Sequence, residues 1–299
     1  MPAEIKALRD SLTGEIIRAF GLPKTAWSKR AFAWLFHGLI EQFASGGVTF
    51  DHIVAVEGLQ PAAAWLLTRF CKNVTAHGSE SIPHDGPLLV VSNHPGVIDV
   101  LLIMALLGRK DVKQISNNIA FLQCLPATSA HLIYGARTKE PHKRMTAVRA
   151  GIRHLQSGGV LVLMGTGIID PDPEVYPDSS ESLEHWSPSI DLFLRKIPET
   201  QLIITIVSGV LSPGWGHHPI TWLRKEGRRK RLLAEIGQVT QQALFPGSLL
   251  LAPHISFSAP LRLSELQLEG NSGRVLPAII IRAKDLLVQH MERISFQGN

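Results

Sequence analysis

IPHDGPLLVVSNHPGVIDVLLIMALL, residues 82–107, carries the chain from a short apolar run into a helix-forming run through a single turn. Leu88 to Ser92 is a short apolar run with β-branched Val90 and Val91 and follows Gly86-Pro87, the pattern of a strand buried on both faces. Asn93-His94-Pro95-Gly96 interrupts it. Asn93 is a residue type that caps helix N-termini, Pro95 is tolerated at a helix start, and Val97 to Leu107 supplies the apolar helix body. His94 and Asp99 are five positions apart, and five helical steps of roughly 100° each would point them in different directions. They meet only if His94 lies outside the helix and folds back over its first turn. In that geometry Asp99 accepts a hydrogen bond from one imidazole nitrogen and leaves the other free to take a proton from a hydroxyl. A capped loop uses the same pair, so spacing alone leaves both readings open.

Downstream, strands and helices alternate. Val112 to Phe121 contains a second strand region, and the run His131-Leu132-Ile133-Tyr134-Gly135 leads to Arg137, with Lys139, His142, Lys143 and Arg144 behind it. An arginine where a strand gives way to a helix N-terminus suits a phosphate, because its forked donors add to the free N–H groups of the helix; a solvated loop residue is the alternative. Met145 to Gln156 reads as a helix closed by Ser157-Gly158-Gly159, and Val160 to Met164 as a buried strand. The turn Met164-Gly165-Thr166-Gly167 lacks the third glycine of a dinucleotide loop, and Asp170-Pro171-Asp172-Pro173 prevents the helix such a loop needs. The acidic segment from Asp170 to Glu184 is by default a solvated loop, and its prolines argue against a preformed metal cage. Leu202 to Val207 and Ile255 to Leu261 are further strands, and Leu276 to Ile294 is an amphipathic terminal helix. The expected fold is α/β, a largely parallel or mixed central sheet flanked by helices.

Before Val74 the pattern is helical: Ile5 to Phe20, about Ala26 to Phe43, and Pro61 to Phe70, with Trp27, Trp34 and Trp65 among aliphatic and basic neighbours. These helices either pack on the main domain or lie in a membrane interface, and a hairpin can do both. The division expected is an N-terminal helical subdomain over 1–73 and an α/β domain over 74–299. The first residues lack the order of a secretory signal, and Gln201 to Leu223, although free of formal charge, is broken by Ser212-Pro213-Gly214 and Pro219, so no transmembrane helix is expected.

At 299 residues and 45% hydrophobic, the chain can bury a sizeable core. A net charge of +5 with 13 histidines favours an anionic partner. The dense cluster Arg224-Lys225-Glu226-Gly227-Arg228-Arg229-Lys230-Arg231 suits lipid headgroups, the phosphates of coenzyme A, or plain solvent. Nucleic acid is not expected, since no aromatic interleaving or reading module accompanies the basic residues. Cys71 and Cys124 stand far apart with no metal-ligand spacing, as suits a reducing compartment.

Ser92-Asn93-His94 followed by Asp99, preceded by Ile82-Pro83 and Gly86-Pro87, resembles the NHxxxxD block of the glycerolipid acyltransferase superfamily, typified by lysophosphatidate acyltransferases. The resemblance spans about Val74 to Leu263. It implies transfer of a fatty acyl group from a coenzyme A or acyl carrier protein thioester to a hydroxyl of a (lyso)phospholipid or related lipid, with no further cofactor and no metal. It makes His94 the general base and Asp99 its orienting partner, and gives Arg137 the place of the arginine that holds the acceptor's phosphate. Asn93, Gly96, Gly165 and Thr166 complete the expected site, the backbone N–H groups of the last three as oxyanion donors. Two departures stand out. The family's third block usually reads Glu-Gly-Thr-Arg, where this chain has Met164 and Gly167 at the charged positions, and its fourth block has a proline where Thr205 or a neighbour stands here. The implied setting is the cytoplasmic face of a membrane, bound peripherally to an anionic surface. An inactive lipid-binding protein of the same fold and an acyl-thioester hydrolase are the alternatives.

Overall fold

The computed structural model describes residues 8–14, 17, 37–135, 141–225, 227–269 and 274–297. Seven strands, β1 (Thr75–His77), β2 (Leu88–Ser92), β3 (Val112–Ser116), β4 (Leu132–Tyr134), β5 (Val160–Met164), β6 (Gln201–Ser208) and β7 (His254–Phe257), form one sheet in the order β1-β7-β6-β2-β5-β3-β4. β2 is the middle strand. It pairs in parallel with β5 and β6, whereas β7 runs antiparallel to β6, so the sheet is mixed. β1, which the sequence reading passed over, extends the antiparallel edge by pairing in parallel with β7.

The helices that frame this sheet are α1 (His37–Val56), α2 (Leu59–Phe70), α3 (Ile98–Leu106), α4 (Pro141–Gln156), α5 (Ser189–Lys196), α6 (Gly227–Leu244) and α7 (Leu276–Gln297). Alternation along β2 separates two cores, because successive side chains leave a strand on opposite faces. Leu89 and Val91 pack with Leu155, Phe193, Ile279 and Ala283 of α4, α5 and α7, while Leu88 and Val90 pack with Ala63, Leu67, Leu102 and Ile103 of α2 and α3. The result is three layers. At the start of β2 the buried Arg109 ties strand ends together, donating to Gly86 O at 2.8 Å, Gly158 O at 2.7 Å and the Asp111 carboxylate.

The N-terminal helices differ from expectation. Residues 8–14 are helical, but the remainder of the Ile5 to Phe20 segment other than residue 17, and residues 26–36 of the expected second helix, lie outside the described residues. That second helix does not stop at Phe43: α1 continues to Val56 through Gly46-Gly47. A Cβ at Gly47 would sit 3.0 Å from the Phe121 ring, so this glycine permits close packing rather than ending the helix. Among the described residues no helix is long and apolar enough to cross a membrane.

On the side of β7, a buried polar chain fixes the loop after β5. Ser256 donates to His290 Nδ1 (2.8 Å), His290 Nε2 donates to Ser208 Oγ (2.7 Å), and Ser208 donates to Glu174 Oε1 (2.6 Å), which also accepts from His254. The carboxylate end sets the direction of the chain, since it only accepts. Burial pushes His290 down to about 3, so the ring stays neutral and can both donate and accept. His290→Ala should lower stability by roughly 2–4 kcal/mol, through lost packing and an unpaired Ser256 hydroxyl. Urea unfolding measures it, and a loss below about half of the lower figure would contradict this role.

Candidate active site

His94 stands two residues beyond the end of β2, on the carboxyl edge of the parallel strands where α/β sheets bind ligands. Its Nδ1 lies 2.8 Å from Asp99 Oδ2. Asp99 is in the first turn of α3 with 0% exposure, and also accepts from the N–H groups of Gly96 (3.2 Å) and Val100 (2.5 Å). A carboxylate there stabilises a helix start by satisfying orphan donors and by meeting the positive end of the helix dipole. His94 does lie outside the helix and fold back over it. Its side chain keeps 22% exposure, which leaves Nε2 as the nitrogen not committed to Asp99.

Asn93 is placed differently from expectation. It does not cap α3; its amide bridges to β6, donating to Val207 O and accepting from Val207 N, each at 2.8 Å. The strand-to-helix turn thus extends the β2–β6 pairing by one side chain, a stronger use for a buried amide than capping a helix that Asp99 already serves.

The acidic loop departs from the solvated default at its start, while Glu174, Asp178, Glu181 and Glu184 are exposed as expected. Asp170 and Asp172 are 2% and 0% exposed. Asp170 accepts from the His94 N–H (2.9 Å) and the Thr166 hydroxyl (2.7 Å), pinning the turn behind His94 to the turn after β5. Asp172 accepts from the N–H groups of Glu174, Gly209, Val210 and Leu211. Burial pushes each carboxyl up to about 6 against the pull of these donors.

Gly165 follows β5, and its N–H donates to Ser92 O at 2.8 Å. A Cβ there would lie 2.4 Å from the Trp186 indole, which explains glycine at this position. The Gly96 N–H is likewise engaged, by Asp99, so of the three expected oxyanion donors the Thr166 N–H is the one without an acceptor among the described residues. Gly167 adopts φ +67°, a left-handed conformation that side chains disfavour. Gly167 thus brings a turn that favours glycine as well as a missing side chain. Arg137 lies outside the described residues.

Glu235 escaped the sequence reading. It sits mid-helix in α6, 1% exposed, and Oε1 accepts from the Val97 N–H at 2.7 Å while Oε2 is buried without a partner. Both oxygens would lie 2.8 Å from a Cβ on Gly96, so glycine at 96 admits this carboxyl. Burial foremost, with Asp99 nearby, pushes Glu235 up to about 8 and keeps it protonated at neutral pH. For His94 burial opposes the charged form, but Asp99 foremost, with Asp170, outweighs it and leaves the imidazole above its ordinary value. Nothing in the local pattern LLAEIG marks Glu235, because its partner is 138 residues away.

A cavity of about 950 Å³ opens at His94. Val97, Ile98, Met164 and Gly167 line it together with Trp65, Phe50, Phe121, Leu125, Val239 and Ala243. α1 and α2 therefore wall the cavity while packing on α3. The arrangement can hold a long apolar chain and present its reactive end to a base. Among the described residues no three His, Cys, Asp or Glu side chains group as a metal site.

Residues 73–177 match the family model described as Acyltransferase. A solved structure, the 1-acyl-sn-glycerophosphate (LPA) acyltransferase PlsC from Thermotoga maritima, is similar at 14% identity with a TM-score of 0.45, covering 95% of this chain and 96% of that one. No curated protein sequence is significantly similar.

Glu235 gives a pH test. Its folded pKa of about 8 exceeds the ordinary 4.5, so its contribution to stability is complete below pH 4.5 and is lost as pH rises to 8. Glu235→Gln keeps an acceptor for Val97 and removes the titration. The fall in unfolding free energy from pH 4.5 to 8 should be smaller in this variant than in the wild type, measured by urea unfolding across that range. Identical falls would sink the assignment.

Proposed function

We propose that this chain, whose residues 73–177 match the acyltransferase family model, is an O-acyltransferase of the glycerolipid acyltransferase superfamily in which His94 is the general base. It moves a fatty acyl group from a coenzyme A or acyl carrier protein thioester to a hydroxyl of a lipid acceptor, peripherally on the cytoplasmic face of a membrane. The observation that carries this reading is the His94–Asp99 pair, 2.8 Å apart, with His94 lining an apolar cavity.

The steps follow from that geometry. Asp99 holds the proton on Nδ1 and leaves Nε2 as the acceptor. Nε2 removes the proton of the acceptor hydroxyl as its oxygen attacks the thioester carbonyl, and the carbonyl electron pair becomes an oxyanion. The Thr166 N–H is the donor assigned to that oxyanion. When the intermediate collapses the C–S bond breaks, and the leaving thiolate takes the proton back from the imidazolium, so no covalent enzyme intermediate is required. Buried Asp99 stabilises the imidazolium between these steps. The chemistry uses no cofactor beyond the donor.

The acyl chain occupies the cavity, where each buried methylene contributes about 0.8 kcal/mol. On the acceptor side, Met164 and Gly167 provide neither carboxylate nor guanidinium, which favours an acceptor held chiefly by apolar contact, with Arg137 assigned to any phosphate it bears.

His94→Ala should reduce acyl transfer by about 10²–10⁴-fold with the fold intact, and Asp99→Asn by a comparable factor, since the amide no longer selects the tautomer. The wild-type rate should rise with pH through a midpoint above 6.5, because the base must be neutral and its pKa is raised. Thiol release from acyl-CoA with and without a panel of lysolipid acceptors measures all three. An active alanine variant would overturn the mechanism. Acceptor-independent release would assign a hydrolase, and acceptor binding without release an inactive binder. Ala243→Phe should shorten the preferred acyl chain, at about fourfold in kcat/KM per excluded methylene; an unchanged chain-length profile would remove the cavity from the acyl site.

A further inference from the structure

We propose that the turn Pro219–Leu223, with the basic start of α6, is the surface by which this protein docks on an anionic bilayer. Trp222 and Leu223 are each 74% exposed, two adjacent large apolar side chains turned to solvent at the tip of a short 3₁₀ turn. The turn beneath them is anchored. Thr221 is buried and its hydroxyl donates to His218 O at 2.7 Å, while Trp215 stacks on His218 with centroids 4.6 Å apart. Trp215 also packs over Gly237 of α6, where a Cβ would meet its ring at 2.2 Å. A rigid platform therefore presents the pair, which has no core to enter.

The charge around the pair names the partner. Arg224 and Lys225 follow immediately, and Arg228, Arg229, Lys230 and Arg231 open α6, whose first turns also expose Leu232 at 38%. Indole and leucine side chains seated at the headgroup boundary, ringed by cations that reach the phosphates, are the chemistry of binding to an anionic membrane interface. A protein partner of opposite charge would satisfy the cations but would leave Trp222 and Leu223 needing a matching apolar pocket.

The patch also lies at the catalytic end of the molecule. Arg231 Nε donates to Ile169 O at 3.4 Å, in the loop that leads to Asp170, and one helical turn later Glu235 takes the Val97 N–H beside His94. Val97, which lines the cavity, is 55% exposed, so the cavity meets solvent there and this is its mouth. Docking through Trp222 and Leu223 would thus set the mouth near the headgroups, where a lipid acceptor enters without crossing water. This purpose rests on the proposed acyl transfer, but the docking itself does not require turnover.

The test uses the full chain and vesicles of phosphatidylcholine with or without phosphatidylglycerol. Wild-type protein should sediment with the mixed vesicles, less so as salt rises, and brominated phosphatidylcholine should quench its fluorescence, a loss that Trp222→Phe diminishes. Trp222→Ser combined with Leu223→Ser should weaken binding at least about tenfold, and Lys225→Ala and Arg228→Ala about fivefold each. Turnover of a short-chain, water-soluble donor and acceptor should stay unchanged in all of these. Equal vesicle binding by the double serine variant overturns the proposal. So does an absence of wild-type binding, or a dimer that the same substitutions dissolve, since a second copy would then be the occupant. Loss of acyl transfer with vesicle binding intact would count against the proposed reaction alone.

Discussion

The site depends on one buried carboxylate. Asp99, with no exposed surface, simultaneously holds the His94 ring and two N–H groups at the start of α3. An ionised carboxylate in a core is costly unless its lone pairs are filled, so the turn around it is tightly determined. Were His94 to swing away, Asp99 would lose the one side-chain partner it has among the described residues while staying buried. Structure and chemistry are therefore coupled: the bond that orients the imidazole also lets the carboxylate remain in the fold.

Other acidic groups extend the same logic outward. Asp170 takes the His94 N–H and the Thr166 hydroxyl, Asp172 gathers the turn after β6, and Glu235 takes the Val97 N–H. Each carboxyl accepts backbone donors that a turn cannot satisfy within itself. Their cost appears in raised pKa values, about 6 for the two aspartates and about 8 for Glu235. An edge assembled from irregular turns is thus held rigid by buried acids rather than by secondary structure, and Asp99 and Asp170 favour the charged form of the His94 ring beside them.

The apolar side of the site has a separate origin. Met164 and Gly167 continue a cavity whose far wall comes from α1 and α2, so helices remote in sequence shape what His94 can meet. Trp65 and Phe50 pack on neighbouring helices and line the cavity as well.

Local pattern was sufficient for much of this. The limits of β2 and β5, the helix from Ile98, the seam of Ser157-Gly158-Gly159 and the contact between His94 and Asp99 all arise within a few residues of one another, where periodicity and turn chemistry act directly. Position in space decided the rest. Asn93 bonds Val207 across the sheet instead of capping its own helix, the stretch Asp170-Pro171-Asp172 is buried because Asp172 finds donors in the turn at Gly209, and α1 runs on through Gly46-Gly47 because Phe121 packs there. Glu235 was invisible for the same reason, its partner lying 138 residues away. Short-range sequence states what a residue can do; which donor or ring completes it depends on contacts that only chain closure creates, and those contacts assembled the site around His94.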